Sequence, residues 1–440
     1  MSCFTKAIRI TDSLISNVMK KALRVLWFTN TPSLATAKLG MPGYLGGWIS
    51  SLEKEVSKCQ DIKLGVAFPY METSKDEFFI GDTQYFPLHL SMDGRKVAGL
   101  LKRWIHRVDS LNNIEIFNDV IKQFNPDIIH VFGSEKSFGL IGSNCKIPMI
   151  LQIQGNLSVY IEKWFSGINY FDVLRYCRKK SLLKGYGIFH SYYLFRKWAI
   201  QEREIFKHCK HIIGRTDWDR RISRILSPMS KYYHCDELLR EPFYTKQWKY
   251  SERSEKILIS TISPVIYKGL ETILKSANLI KGLKKVEFKW YVVGVKDSEE
   301  IVKISEGSTG LKFCNNNVIF RGSLPADELI EYLVNSDCYV HPSHIENSPN
   351  SVCEAMLIGT PVIATYAGGT STIVQNGIEG ILVQDGDHYV LAGAIMELIQ
   401  SPGQMRVYSE NARKRALERH NPQTVVSKIL DIYHDVLKSD

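Results

Sequence analysis

The chain has 440 residues, 44% hydrophobic and 23% charged, an ordinary globular balance with material for two or three cores. Its formal net charge of +10 comes with no nucleic-acid-binding motif, so phosphorylated substrates or an anionic membrane surface fit better than nucleic acid. No run of about 18 uncharged apolar residues is present and the first 21 residues lack a signal-peptide pattern, so a cytoplasmic protein without a transmembrane helix is expected.

In chain order, residues 1–21 read as an N-terminal extension. Residues 23–28 form a short apolar run around Arg24, the mark of a buried parallel strand. A loop with Gly40, Gly43, Gly46 and Gly47 leads into a helix over 48–59. Further strands are predicted at 63–68, 127–132, 148–153 and 211–214. A polar linker, 244–256, precedes a second alternating series. Its strands are predicted at 257–260, 288–294, 318–322, 338–342, 361–364 and 380–383, with helices at 270–280, 326–335 and 371–375. Asn421-Pro422 opens a last helix, 422–438. The chain is therefore read as α/β, with two Rossmann-like lobes, 22–246 and 255–415, and a C-terminal helix within 421–440. The nine cysteines include no Cys-x-x-Cys pair and the twelve histidines no His-x-x-x-His, so reduced thiols and no protein-built metal site are expected.

Open parallel sheets bind ligands beyond the carboxyl ends of their strands, and the candidates lie there. Gly46 and Gly47 follow the first strand; close phosphate approach and a plain turn explain them equally, and their spacing is not the dinucleotide fingerprint. Lys268 follows the first strand of the second lobe, where a cation reaches a diphosphate, although a solvated lysine is the commoner case. Glu346 and Glu354 flank a loop signal at 347–350. Such a pair can aim one carboxylate at a sugar and the other at a ribose, with helix N-terminal amides at Asn350, Ser351 and Val352 holding a diphosphate. Ser351 and Glu354 also fit a capping box. Gly368-Gly369 suits either a phosphate contact or a turn.

From about residue 256 to 383, Lys268-Gly269, Phe320-Arg321-Gly322, His341-Pro342-Ser343, the Glu346/Glu354 pair, Glu354-Ala355-Met356, Gly359-Thr360-Pro361-Val362-Ile363-Ala364 and Gly368-Gly369 follow one another. In that order they resemble the donor lobe of retaining glycosyltransferases of family 4 (glycosyl transferases group 1), which have the GT-B fold of two Rossmann-like lobes with an interlobe cleft. The first lobe resembles the family more loosely, through Gly46-Gly47 and Pro126-Asp127-Ile128-Ile129-His130. The resemblance implies a metal-independent enzyme with a nucleoside-diphosphate sugar as co-substrate and no other cofactor. Glu346 would contact the donor sugar, Glu354 the ribose, Lys268 the departing diphosphate, and Ser351 with neighbouring amides its phosphates. Gly47 would let the first lobe close on the diphosphate. Two positions depart from the family. Its arginine ahead of the lysine is Ile262 or Ser263 here, leaving Arg321 or Lys256 as substitutes. Its first-lobe histidine is Gln154 here, which cannot exchange a proton. Gln154 and His130 are assigned to the acceptor side.

Basic, aromatic stretches at 95–107 and 175–197 suit peripheral contact with anionic lipid on the inner membrane face, or a lipid-diphosphate acceptor, or an ordinary solvated helix face. The expected activity is transfer of a hexose or N-acetylhexosamine, with retention, to a saccharide or lipid-linked acceptor in cell-surface polysaccharide synthesis. The rivals are a catalytically silent nucleotide-sugar-binding partner and a nucleotide-sugar epimerase of the same fold.

Overall fold

Mostly apolar segments such as Leu23–Phe28 (β1), Ile128–Phe132 (β5) and Met149–Gln152 (β6) lack the alternating polar face of a half-solvated strand, and they become strands buried along most of their length. In the computed structural model, which describes residues 22–41, 47–70, 76–90 and 113–439, they build an eight-stranded sheet. The other members are β2 (Ile62–Pro69), β3 (Phe78–Ile80), β4 (Thr83–Leu88), β7 (His211–Gly214) and β8 (Lys231–His234). The order is β3-β4-β2-β1-β5-β6-β7-β8, parallel except for the β3–β4 hairpin. The second lobe is a parallel sheet of six strands, β9 (Glu255–Thr261), β10 (Glu287–Val293), β11 (Val318–Gly322), β12 (Cys338–His341), β13 (Val362–Thr365) and β14 (Gly380–Val383), in the order β11-β10-β9-β12-β13-β14. Each strand expected from the sequence is present, with its ends within two residues. Gly46 and the basic stretch at 95–107 lie outside the described residues.

Strand order reverses between β1 and β5 in the first lobe and between β9 and β12 in the second. At such a switch point the flanking loops leave in opposite directions and open a crevice at the carboxyl edge. In the first lobe, β1 is followed by helix α1 (Gly47–Val56). The second-lobe crevice is entered by the loops before α5 (Leu270–Leu283) and α6 (Asn350–Ile358).

Two segments cross between the lobes. After α7 (Pro402–Arg419), the last helix, α8 (Pro422–Ser439), returns to the first lobe. Its buried Val425, Ile429, Ile432, Tyr433 and Val436 fall on one helical stripe and pack with Val25, Trp27, Trp48 and Leu52. The Trp27 indole N–H donates to the Tyr433 hydroxyl at 3.0 Å. Burying each such side chain contributes about 1.5–3 kcal/mol, so the terminal helix is part of the first-lobe core.

The second crossing runs the other way. Residues 157–208, between β6 and β7, carry helices α2 (Tyr170–Tyr176), α3 (Lys179–Lys184) and α4 (Ile188–His208). Ile168, Val173, Cys177, Ile188 and Phe189 from this strap are buried in the second-lobe core. Gly307 of the helix Glu300–Thr309 has no side chain where the Tyr176 ring lies, and Glu300 Oε1 accepts from the Arg178 amide at 2.7 Å. The expected linker is likewise pinned: Trp248 donates its amide to Ile358 O at 2.8 Å and its indole N–H to Ser336 O at 2.7 Å. All eight described cysteines are free, and no described helix is long and apolar enough to cross a membrane.

Candidate functional site

The loop after β9 turns through Lys268 to Gly269, whose φ of +76° suits glycine. A Cβ at Gly269 would strike the Pro342 carbonyl, so glycine also lets this turn touch the loop after β12. The contact brings the Lys268 ammonium onto Glu346 as an ion pair. From the other side, Gly368 (φ +54°) packs on the Glu346 carbonyl, and the Gly369 amide donates to it at 2.9 Å. Gly368-Gly369 is thus a support turn whose Gly369 amide is spent on Glu346.

Glu346 is 5% exposed. Lys268 Nζ, Ser343 Oγ (3.0 Å) and His341 Nε2 (3.3 Å) all converge on its Oε1, leaving Oε2 without a partner among the described residues. Burial by itself raises this carboxyl, but Lys268 and His341 outweigh it and hold it at about 2. Glu346 is therefore ionised at neutral pH.

Helix α6 begins at Asn350 behind Pro349, and no side chain caps it. The capping box does not form: Ser351 lies inside the first turn, and no side chain caps the helix. Both Glu354 oxygens accept instead from Arg240, at 2.7 and 2.8 Å. Burial raises the Glu354 carboxyl and Arg240 opposes it. Burial also pushes up the Tyr339 phenol, and the charges of Glu346 and Glu354 add to it. The Val352 and Cys353 amides donate to Pro349 O at 2.9 and 3.2 Å. Val352 also has its side chain in the core and offers a ligand nothing. The Asn350 and Ser351 amides have no partner among the described residues, and Asn350 Oδ1 is buried and unpaired. An ammonium and two free amides at a helix N-terminus, beside an ionised carboxylate with one open oxygen, suit a phosphorylated ligand with a neighbouring electron-poor carbon.

The expected substitute cations do not reach this crevice. Arg321 is exposed on edge strand β11, its guanidinium 5.4 Å from the Tyr332 ring. Lys256 lies near the start of β9, at the far end of the strand, 3.7 Å from Asp337. Arg215 and Arg240 stand near it instead. Arg215, 3% exposed, donates to Gln154 O at 2.7 Å, lies 3.8 Å from Glu237 and sits over Trp48 at 5.5 Å. Burial would raise Glu237, yet Arg215 and Arg419 bring it to about 2. Ser348 Oγ donates to Glu237 at 2.7 Å, and Asn347 joins Thr216 and Gln154 at 3.1 Å each. The loop holding Glu346 is thereby tied to the first lobe. These partners are far apart in the chain, and only Gln154 carried a sequence signal.

Gln154 stands at this junction with its Nε2 buried and unpaired. Gly47 opens α1 with φ +45° and free space where a Cβ would be. His130 is elsewhere. It shares a face of β5 with Ile128 and Phe132, stacks on Phe132 at 4.0 Å and meets the Tyr433 hydroxyl at 2.8 Å under α8. Burial drives it down to about 3. His130 is a core residue and makes no acceptor contact.

An aromatic seam closes the lobes beside Glu346. Tyr160 and Trp164 of the strap lie 5.6 and 5.5 Å from the Tyr267 ring of the second lobe. Glu237, Cys353 and His420 form a candidate metal-ligand trio among the described residues. Arg215 and Arg419 already balance Glu237, and burial and Glu237 push the Cys353 thiol well up, which disfavours a cation there.

Residues 245–415 match the family model Glycosyl transferases group 1. The chain is similar to N-acetyl-alpha-D-glucosaminyl L-malate synthase of Bacillus anthracis, 30% identical over 195 residues, 44% of this chain and 49% of that protein. It is also similar to the capsular polysaccharide biosynthesis glycosyltransferase CapM of Staphylococcus aureus, 26% identical over 204 residues, 45% and 52% of the two chains. The alignments thus span about half the length of these curated relatives. Among solved structures, sucrose-phosphate synthase from Thermosynechococcus elongatus superimposes with a TM-score of 0.68 at 15% identity, over 95% of this chain and all of that one. Anabaena Alr3699/HepE in complex with UDP and glucose gives 0.59 at 15% identity, over 94% and 99%. The fold is GT-B.

Proposed function

We propose that this chain, whose residues 245–415 belong to the glycosyl transferases group 1 family, is a retaining glycosyltransferase. It moves a sugar from a nucleoside-diphosphate donor to a saccharide or lipid-linked saccharide acceptor in cell-surface polysaccharide synthesis. The observation that carries this is the Lys268–Glu346 pair across the β9/β12 switch point, beside the free amides of Asn350 and Ser351. The relatives named for N-acetylglucosaminyl transfer and capsular polysaccharide support the sugar class and the pathway.

The diphosphate lies against the Asn350 and Ser351 amides and Lys268, and each anionic oxygen meets a donor or a cation. The bond between the anomeric carbon and the phosphate oxygen breaks. Positive charge on that carbon is stabilised by ionised Glu346, through its open Oε2. An acceptor hydroxyl oxygen bonds to the same face, and its proton passes to the departing phosphate oxygen. No protein base is then required, which accommodates glutamine at position 154. No metal ion is needed, because Lys268 and the helix N-terminus supply the positive charge. Glu354, already gripped by Arg240, keeps one lone pair on each oxygen for ribose hydroxyls. Gly47 admits the diphosphate to the first lobe, and the seam of Tyr160, Trp164 and Tyr267 excludes water once the lobes are closed.

The chain docks peripherally on the inner membrane face through the strap. Residues 170–197 hold seven cations against one carboxylate, with Phe171 79% and Leu183 67% exposed.

A panel of nucleoside-diphosphate sugars, assayed for nucleoside diphosphate release, tests the activity. Wild type releases it steadily from one donor, and Glu346→Gln or Lys268→Ala slows release by about 10²–10³-fold. Absence of release from every donor, with or without added saccharide, would leave a silent binding partner. Donor isomerised without acceptor would identify an epimerase.

A further inference from the structure

His344 stands two residues ahead of Glu346 on the loop after β12, and the donor chemistry leaves it unused. It is 3% exposed, and both ring nitrogens face carboxylates. Nε2 lies 2.8 Å from Glu271 Oε1, in the first turn of α5, and Nδ1 lies 3.4 Å from Asp385 Oδ2, in the loop after β14. Each carboxylate has a second donor: Thr272 Oγ1 on Glu271 Oε1 at 2.8 Å, and Gln384 Nε2 on Asp385 Oδ1 at 3.0 Å. Gly167 of the strap (φ +84°) roofs the Glu271 contact, since a Cβ there would strike both Glu271 Oε1 and His344 Nε2. Glu271 and Asp385 are the charged groups paired with the ring among the described residues, and the strap faces it with the Gly167 backbone. Main-chain contacts tie this cluster to the reaction site. The His344 amide donates to Tyr267 O at 2.8 Å, one residue from Lys268. Ile345, between His344 and Glu346, is buried in the aromatic seam.

A neutral imidazole has one N–H, so it can donate to one carboxylate while its lone pair confronts the other. An imidazolium donates to both. Burial opposes that charge, but Glu271 and Asp385 outweigh it and raise the ring above its ordinary value. We propose that His344 is a positioning residue: as an imidazolium between Glu271 and Asp385 it fixes the loop that carries Glu346, and sugar transfer slows when it loses its proton. This deepens the glycosyltransferase reading and rests on it. The clamp is complete below the raised value and fails as pH climbs through it. Glu271, 1% exposed, is then buried without a cation, and the loops that His344 joins can separate. A displacement of Glu346 by about 1 Å costs on the order of 10²-fold in rate. Lys268 keeps its charge and α6 its free amides, so nucleoside diphosphate affinity is retained.

The competing explanation is a structural ion pair that only adds stability. Nucleoside diphosphate release from the saturating donor found by screening is followed from about pH 6 to about pH 9.5, and the histidine ring resonances are titrated by NMR in the same buffers. The signal missing from His344→Gln is that of His344, and it titrates above 6.5. In wild type, kcat falls on the alkaline side at that same pH. Asp385→Asn, a change of charge at nearly constant shape, moves the signal and the alkaline limb down together by about one pH unit. His344→Gln lowers kcat about ten- to a hundredfold, removes that limb and leaves nucleoside diphosphate affinity as in wild type. A His344 signal that titrates at or below 6.5 overturns the proposal. So does a limb that stays in place in Asp385→Asn, or a wild-type kcat that is flat across the range, even where the variants melt earlier, because lost stability alone moves no pH profile. If wild type cleaves no donor, the glycosyltransferase reading falls and the positioning role with it, whereas the titration of His344 still shows whether the imidazolium exists.

Discussion

Glu346 and His130 are both buried, yet burial has opposite outcomes for them. Hydrogen bonds from Lys268 and Ser343 to one oxygen, with His341 3.3 Å away, keep Glu346 charged, whereas His130 lies among aromatic rings, the Tyr433 hydroxyl and Gln152 and stays neutral. The histidine has a stability signature. Its folded value is about 3 and its unfolded value about 6.5, so between those pH values the unfolded chain binds a proton that the folded one does not. Stability attributable to His130 is full above pH 6.5 and is lost as pH falls toward 3, by about 1.4 kcal/mol per pH unit. Urea unfolding should accordingly show His130→Gln shrinking the loss between pH 7 and pH 5 by about 2 kcal/mol; equal losses in both proteins would refute the assignment. Lys268, Glu346 and Glu354 were legible because each sits in a local pattern of strand end, loop and helix start. Arg215, Glu237, Arg240 and Arg419 were not, since each charge finds its partner through the fold. His130 and Arg321 were misplaced because a position near a strand end does not reveal which face or edge of the sheet it occupies.

At the scale of elements, buried strands announced themselves by short, mostly apolar runs, which is why β1, β5, β9 and β12 could be anticipated, whereas the strand order that sets the two switch points carries no local signal. In the antiparallel hairpin β3 has only three residues and β4 opens on Thr83-Gln84, while edge strand β8 carries Lys231 and His234, so no clear run marks them. The strap was harder still. Its helices are rich in aromatics and lysines, and nothing local says that Val173 and Cys177 belong to the other lobe's core. That docking depends on Gly307 leaving room for Tyr176. Gly307→Val should lift α2 from the second lobe, seen as at least about tenfold faster amide exchange in residues 170–190, since each 1.4 kcal/mol lost is tenfold. Exchange at the wild-type rate would mean that the strap does not hold the lobes together.

Across the whole molecule, two parallel sheets meet carboxyl edge to carboxyl edge, each with a polar pair at its switch point, Asn30–Glu135 and Lys268–Glu346. The aromatic seam and the Glu237 network join them, while α8 and the strap cross between lobes in opposite directions. The strap's outer side, with Phe171, Leu174, Lys179, Lys180, Leu183 and Lys184 exposed, gives the molecule one basic, apolar face. Sedimentation with phosphatidylserine vesicles should be strong at low salt and fade as salt screens the charges. Replacing Lys179, Lys180 and Lys184 by glutamate should weaken it more than about tenfold, at roughly 1 kcal/mol per cation. Failure of the wild-type protein to sediment at low salt would remove the membrane from the account.

The most direct test is calorimetric titration of the protein with nucleoside diphosphates, UDP, GDP and ADP in turn. Binding of one of them at a single site is predicted, weakened about ten- to a hundredfold by Lys268→Ala and unaffected by Arg321→Ala. Equal affinity in wild type and Lys268→Ala, or a loss confined to Arg321→Ala, would contradict a donor seated between Lys268 and Glu346.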